Sequence, residues 1–87
     1  MTNISAQISL YPLRQEHLSP AIDEVLEELR RCGVEVNPGA MSTLIAGESE
    51  RVFLALQAAF HKASLRGQAV MVITLSNACP KTTGTAS

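Results

Sequence analysis

Apolar and polar side chains alternate through residues 4–13, the first patterned stretch of the chain. A period of two is typical of a strand that buries one face, and Pro12 predicts where this strand ends. The apolar set comprises Ile4, Ala6, Ile8 and Leu10. The opposite set comprises Ser5, Gln7, Ser9 and Tyr11. We therefore expect one face of the strand to lie against a core and the other to remain polar.

A helical pattern follows between Ser19 and Gly33. Ser19 is a favourable N-cap, Pro20 suits the first helical position, and Gly33 is a typical C-terminal stop. Acidic side chains in the first turn complement the helix dipole, as do Arg30 and Arg31 in the last turn. The apolar stripe that we expect to face the core comprises Ile22, Val25, Leu26 and Leu29.

Two short strands come next, predicted over residues 34–36 and 40–46. The Asn-Pro-Gly sequence at 37–39 favours a turn between them, and Gly47 predicts a break after the second strand. A second helix is predicted over residues 48–66 and ends before a glycine. Its expected buried stripe comprises Val52, Phe53, Leu56, Ala59, Phe60 and Ala63.

The last predicted strand, residues 70–75, is apolar almost throughout and barely alternates. Such a run is typical of a strand that is buried on both faces. Residues 78–87 are rich in Thr, Gly, Ser and Ala and contain Pro80, a composition that predicts a flexible tail. We therefore expect one domain over residues 1–77 and a tail over residues 78–87.

The predicted order is strand, helix, strand, strand, helix, strand, which indicates an α+β fold of the ferredoxin-like βαββαβ type. Right-handed crossovers place both helices on one face of a four-stranded antiparallel sheet, and the first and third strands become the central pair. The other face of the sheet is then free of helices. Because this uncovered face is bordered by an apolar last strand, we expect another subunit to cover it.

Composition strengthens the expectation of a partner. The 87 residues are 46% hydrophobic and only 17% charged, which leaves few charges for the surface of so small a domain. We therefore expect self-association through the helix-free face, as a homodimer or a tetramer. The net charge of -1 provides no basic field for nucleic acid or for an anionic membrane surface.

Cys32 and Cys79 belong to no metal or redox motif and are expected to be reduced thiols, although a disulfide between them is conceivable. Residues 1–7 lack the pattern of a signal peptide, and no apolar run reaches the length of a membrane span. These observations predict a cytoplasmic protein without membrane insertion.

Short hydroxyl side chains recur on strands that otherwise carry core residues. Ser9 and Tyr11 lie at polar positions of the first strand, and Thr74 and Ser76 lie near the end of the last. Their parity predicts that they share the helix-free face. Hydroxyls can orient a small ligand on an otherwise apolar surface, but small residues there could equally let two sheets approach.

Ser42 and Thr43 form an adjacent hydroxyl pair after the Pro38-Gly39 turn. Neighbouring residues of a strand point to opposite faces, so only one of the two can share the helix-free face, and the sequence leaves open which. The pair is either an ordinary strand segment, in which threonine is favoured for its β-branch, or part of a ligand site at the strand end.

Several segments together resemble the YkoF-like thiamine-binding proteins, and the resemblance covers nearly the whole chain. The segments that carry it are Ser-Leu-Tyr-Pro-Leu at 9–13, Met-Ser-Thr at 41–43 followed by Gly47-Glu48, Val52-Phe53, and Leu-Ser-Asn-Ala-Cys-Pro at 75–80. This family implies a ferredoxin-like domain that occurs in tandem or assembles as homodimers or tetramers. It also implies binding of thiamine or its hydroxymethylpyrimidine part, without catalysis, in the salvage or transport of thiamine precursors.

By the same resemblance, Ser42 and Thr43 match the family's Ser-Thr pair after the hairpin, and Tyr11 matches the tyrosine of the first strand. Ser76 and Asn77 match the polar pair that closes the last strand. The expected ligand-binding set is therefore Ser9, Tyr11, Ser42, Thr43, Thr74, Ser76 and Asn77, with no metal, no cofactor and no catalytic residue. The alternatives are a structural or regulatory interaction module without a small ligand, and a small enzyme on the same fold.

Overall fold

A computed structural model of the chain describes residues 3–14, 19–40 and 42–78. Its elements are β1 (Asn3–Pro12), α1 (Ser19–Arg31), β2 (Glu35–Pro38), β3 (Thr43–Glu48), α2 (Ser49–Ser64) and β4 (Ala69–Ser76). Met41, Cys79 and the rest of the predicted tail lie outside the described residues, so the structure does not test the expected domain and tail boundary.

The four strands form one antiparallel sheet in the order β2-β3-β1-β4. The predicted α+β ferredoxin-like fold is therefore confirmed, with β1 and β3 as the central pair and both helices packed on one face. β1 ends at Pro12 as expected, and the Leu13 N–H beyond it still donates a 2.9 Å hydrogen bond to the Gln68 carbonyl. No helix in the described parts of the chain has the length and apolarity needed to cross a membrane.

The core lies between the two helices and one face of the sheet. Ala6 and Ile8 on β1 are buried, as the alternation predicted, and Ile45 on β3 pairs with Ala6 in the same layer. Leu29 from α1 and Val52 from α2 complete this layer, and neither is accessible to solvent. The residues between these positions point to the opposite, helix-free face.

β3 differs from its predicted bounds at both ends. It begins at Thr43, because the Gly39 N–H donates a 2.8 Å hydrogen bond to the Ser42 carbonyl and the chain turns there. Gly47 does not break the strand but pairs with Ile4 inside it. A Cβ at Gly47 would lie 3.4 Å from Val34 Cγ1, so the glycine leaves room for a core side chain instead of ending an element.

The buried stripe of α2 is narrower than predicted. Ala55, Ala59 and Ala63 lie fully or almost fully buried against the sheet, whereas Phe53 and Phe60 are 54% and 43% exposed. Small residues let the helix approach the sheet closely, and the two phenylalanines lie at the edge of the stripe, beyond that contact. A similar shift occurs on α1, where Ala21 is buried and Ile22 is exposed.

The prediction that the last strand is buried on both faces is wrong for the single chain. β4 is an outer strand that pairs only with β1. Val72 on one of its faces is 51% exposed, and Ile73 on the other is 39% exposed. The apolar run therefore reflects two surfaces that the single chain leaves open.

An ion pair fastens α1 to the segment that follows α2. Arg66 donates from Nε and Nη2 to the two carboxylate oxygens of Glu24, both at 2.9 Å. This hydrogen bonding lowers the pKa of the Glu24 carboxyl and raises the pKa of the Arg66 guanidinium. Both side chains are accessible to solvent, so the pair fixes geometry more than it adds stability.

Candidate functional site

The strand register separates the hydroxyls of Ser42 and Thr43. Thr43 pairs with Ile8 and so belongs to the helix-covered side of the sheet. Leu44 pairs with Gln7 on the helix-free side, and Ser42 shares that parity. The Ser42 hydroxyl accepts a 3.1 Å hydrogen bond from Gln7 Nε2. The structure thus answers the question that the sequence left open, since Ser42 lies on the helix-free face and Thr43 lies under the helices.

Thr43 opens into a cleft between α1 and the ends of β1 and β3. The cleft has a volume of about 110 Å³. Its walls are formed by apolar side chains of β1 and α1, and its end is formed by the turn that precedes β3. The lining residues are Ile8, Leu10, Ile22, Val25, Leu26, Leu29, Gly39, Ala40, Ser42 and Thr43.

The cleft exists because small residues stand where the sheet meets the helix. Gly39 and Ala40 reach no farther than a Cβ, so they leave open the space in front of Ile22 and Leu26. A Cβ added at Gly39 would lie only 2.9 Å from the Ser42 carbonyl oxygen. A larger residue at 39 would therefore disturb both the turn and the mouth of the cleft.

The chemistry of the cleft is that of an apolar slot with a polar end. Aliphatic side chains supply its walls, and the half-buried Thr43 supplies a hydroxyl that can both donate and accept. Among the described residues that line it, none has an ionisable side chain. Such a site suits a small, flat, uncharged group with a few hydrogen-bonding atoms.

Most of the other expected ligand-binding residues lie on the opposite face. Tyr11 pairs with Val70, Thr74 with Gln7, and Ser76 with Ser5, so all three lie on the helix-free side. From Ser5 to Tyr11 the strand advances about 20 Å at its usual rise per residue. One small molecule cannot span that distance, so Tyr11 and Ser76 do not belong to one site within the chain.

Ser9 and Asn77 occupy different surroundings. Ser9 pairs with Val72 on the helix-free face and continues the polar group formed by Gln7 and Ser42. Asn77 follows β4 at its exposed end. There the Ser76 hydroxyl accepts a 3.0 Å hydrogen bond from the Ala78 N–H, an interaction that fixes the chain end locally.

The apolar walls of the cleft were not predicted as site residues. Sequence analysis assigned Ile22 and Leu26 to the core stripe of α1, yet Ile22 is exposed and Leu26 is only partly buried. The sequence does show that residues 39 and 40 are small, which is a condition for a cleft beside them. It does not show that Ile22 and Leu26 lie next to those residues, because that depends on how α1 packs on the sheet. In the described ranges, no group of three or more His, Cys, Asp or Glu side chains could hold a metal ion.

Comparison with known proteins gives one family match. The model of the YKOF-related family matches residues 3–82, which include every element of the fold. No protein of curated function matches the chain significantly in sequence.

Solved structures resemble the chain closely in fold. A hypothetical protein of Methanocaldococcus jannascii superposes with a TM-score of 0.83 at 19% identity, over 94% of this chain and 87% of the other. A domain of unknown function from Bacillus cereus gives 0.77 at 21% identity, over 97% and 83%. A Thermotoga maritima protein assigned provisionally to thiamine biosynthesis or salvage gives 0.76 at 17% identity, over 85% and 82%. At these identities the likeness shows a shared fold.

Proposed function

The chain belongs to the YKOF-related family, and from that premise we propose that it binds thiamine or its hydroxymethylpyrimidine moiety, without catalysis, in the salvage or transport of thiamine precursors. The observation that carries the proposal is the cleft under α1, in which Thr43 ends an otherwise apolar slot. The fold shared with the Thermotoga maritima protein of provisional thiamine assignment supports the same ligand class.

The size of the cleft favours the pyrimidine part of the ligand. An apolar cavity of about 150 Å³ accepts a benzene molecule. The cleft, at about 110 Å³, is smaller than that cavity, so it has room for one six-membered ring at most and none for the second ring of thiamine. We place the hydroxymethylpyrimidine ring inside the slot, with the thiazolium of intact thiamine outside its mouth.

The polarity of the cleft favours the same orientation. An aminopyrimidine offers flat faces to Ile22 and Leu26, and its ring nitrogens and amine can bond to the Thr43 hydroxyl and to backbone groups of the turn. The thiazolium carries a positive charge, and burying it without a partner would be costly. Because the described lining contains no carboxylate, the charged ring is better placed in solvent.

Self-association through the helix-free face is a separate part of the proposal. That face exposes Tyr11, Leu44, Val70 and Val72 around the polar group of Gln7, Ser9 and Ser42. A flat surface with apolar margins and a polar centre suits the face of a second copy. Of the residues expected to contact a ligand, Ser9, Tyr11, Thr74 and Ser76 would then lie between subunits.

Titration calorimetry of the full chain tests the ligand claim, with hydroxymethylpyrimidine, thiamine and the free thiazole alcohol as separate titrants. We expect saturable binding of the first two below about 1 mM, which corresponds to about −4 kcal/mol, and no binding of the thiazole. Absence of binding for both pyrimidine compounds would refute the proposal. Binding of thiamine and thiazole alone would refute the assigned orientation.

A second function is favoured by the helix-free face itself. If the four apolar residues there are completely covered by another subunit, the domain could serve as a structural or regulatory interaction module without a small ligand. This alternative predicts a stable oligomer together with a silent calorimetric titration.

A further inference from the structure

Burial divides the residues that line the cleft into a floor and a rim. Ile8, Val25 and Leu29 are buried in the hydrophobic core, so they form the closed floor. Ile22 on α1 and Ala40 in the turn before β3 are exposed to solvent, yet both line the same cleft. The cleft therefore opens between α1 and the turn, and we call Ile22 and Ala40 its rim. Any part of a ligand that leaves the cleft passes between these two side chains.

Of the two small residues in this turn, Gly39 is fixed by the backbone. Its N–H donates the 2.8 Å hydrogen bond to the Ser42 carbonyl, next to the last paired residues of the hairpin, Pro38 and Thr43. A Cβ at position 39 would lie 2.9 Å from that carbonyl oxygen, closer than a side chain can approach without displacing the backbone. Glycine at position 39 is therefore a requirement of the turn, whatever the ligand.

Ala40 is under no comparable constraint from the fold. It is exposed, and it lies outside the buried core. Among the described non-glycine residues, a positive φ occurs at Arg14 and not at Ala40, so the backbone here accepts a larger side chain without strain. The size of residue 40 therefore affects the cleft, which it lines, far more than it affects folding.

Hydroxymethylpyrimidine and thiamine differ at one position of the pyrimidine ring. In the first, the methylene group at that position carries a hydroxyl, and in the second, the same methylene is bonded to the thiazolium ring. The pyrimidine ring is common to both, so its contacts with the floor of the cleft do not distinguish them. Because the cleft has no room for a second ring, the protein can discriminate between the two ligands only at the rim, where the methylene leaves the cleft.

We propose that Ala40 is the specificity-determining residue of the cleft, because its short side chain leaves the rim wide enough for intact thiamine as well as for hydroxymethylpyrimidine. The inference rests on the proposed binding of the pyrimidine ring in the cleft. It adds the residue that governs the second half of the ligand, which the cleft itself does not hold. A larger residue at this position converts the site into one that is selective for the single ring.

The size of the rim can be changed by a small amount at Ala40. Ala40→Val adds two carbon groups, each about the size of a water molecule at ~30 Å³, beside a cleft of about 110 Å³. Both groups branch from Cβ, so rotation about χ1 does not turn both of them away from the rim. The bulky thiazolium should therefore be hindered much more than a hydroxyl group.

Titration calorimetry of the full chain with hydroxymethylpyrimidine and with thiamine tests the inference. Because one methylene of misfit in an apolar pocket is worth about tenfold or more in affinity, Ala40→Val should weaken thiamine binding at least about tenfold and hydroxymethylpyrimidine binding less than about threefold. The matched control is Ala46→Val, the same change on the helix-free side of the same hairpin, where Ala46 pairs with Ser5. It should leave the ratio of the two affinities unchanged.

A compensating change across the rim gives a second readout that a merely structural role of Ala40 would not produce. Ile22→Val removes one methylene from the opposite side of the rim. In the Ala40→Val background it should restore part of the thiamine affinity. No restoration would show that residue 40 does not act through the width of the rim, and would overturn the inference.

The ratio of the two affinities separates this inference from the proposed function. A partly unfolded variant loses affinity for both ligands by the same factor, so incomplete folding does not alter the ratio. An unchanged ratio in Ala40→Val would overturn the inference and leave the proposed function intact, as would a wild type that binds hydroxymethylpyrimidine but not thiamine. A wild type that binds neither compound would overturn both.

Discussion

The two faces of the sheet use neighbouring residues for opposite purposes. Ile45 and Thr43 point under the helices, where α1 and the turn leave a concave slot. Leu44 and Ser42 point to the helix-free face, which is broad and exposed. Concave, largely apolar sites are suited to small molecules, and flat faces are suited to other protein surfaces. The face, more than the residue type, therefore decides what each hydroxyl can do.

The two faces also separate ligand binding from subunit contact, which the sequence assigned to one set of hydroxyl residues. Among the strand hydroxyls that were expected to bind a ligand, Thr43 lies on the helix-covered side of the sheet, at the slot. Ser9, Thr74 and Ser76 lie on the helix-free face. A ligand in the slot and a subunit on the flat face can be present together. Variants on the two faces should therefore affect different measurements.

The largest difference between the faces should appear in folding stability. Ile45 is fully buried and Leu44 is 45% exposed, although the two are adjacent. Ile45→Ala should lower the free energy of unfolding by about 2–5 kcal/mol, because it removes packing and leaves a cavity. Leu44→Ala should cost less than about 1 kcal/mol. Urea unfolding at low protein concentration measures both, and equal losses would contradict the assignment of faces.

A smaller but still large effect is expected on binding when a charge enters the slot. Ile22→Lys places an ammonium on the cleft wall, where a bound ring would remove its water, so the affinity for hydroxymethylpyrimidine should fall at least about tenfold. Ile73→Lys is the matched control, since Ile73 is similarly exposed but lies on β4. Calorimetry measures both variants. Equal affinities would place the ligand outside the slot.

The paired hydroxyls give a finer test. Thr43→Val removes a hydroxyl at constant shape and should weaken ligand binding about fivefold, the effect of one hydrogen bond of about 1 kcal/mol. Ser42 also borders the cleft, but its hydroxyl bonds to Gln7 on the other face, so Ser42→Ala should weaken ligand binding less than Thr43→Val does. A larger loss for Ser42→Ala than for Thr43→Val would move the site to the helix-free face.

The smallest effect concerns the ion pair that holds α1 over the slot. The folded-state pKa of Glu24 lies below its unfolded value because Arg66 bonds to the carboxylate. The pair therefore contributes stability above the unfolded pKa, and that contribution is lost as pH falls through the folded pKa. Arg66→Gln should lower the melting temperature slightly near pH 7 and not at all at pH 2. A difference that persists at pH 2 would assign the effect to packing.

Much of the fold was predictable from local patterns. The alternation of β1 placed Ala6 and Ile8 in the core correctly, and Ser19 and Pro20 marked the start of α1. Errors arose where tertiary contacts decide the outcome. Gly47 continues its strand because it faces Val34, and Phe53 is displaced from the core because alanines bring α2 close to the sheet.

The candidate site was predictable only in part. The Ser42-Thr43 pair was identified, but its division between two faces depends on the register with β1, which no local pattern fixes. The walls contributed by Ile22 and Leu26 depend on how α1 sits over residues 39–40. The apolar run of β4 led to the wrong expectation of burial on both faces, because β4 is an outer strand and both of its faces are open in the single chain.

Chemical-shift mapping by nuclear magnetic resonance distinguishes the slot from the helix-free face as the place where the ligand binds. On titration of the labelled full chain with hydroxymethylpyrimidine, we expect saturable shifts at the slot residues Ile8, Ile22, Leu26 and Thr43. We expect no shifts at Tyr11, Thr74 and Ser76 on the helix-free face. Shifts confined to the helix-free face, or no shifts at millimolar ligand, would contradict binding in the slot.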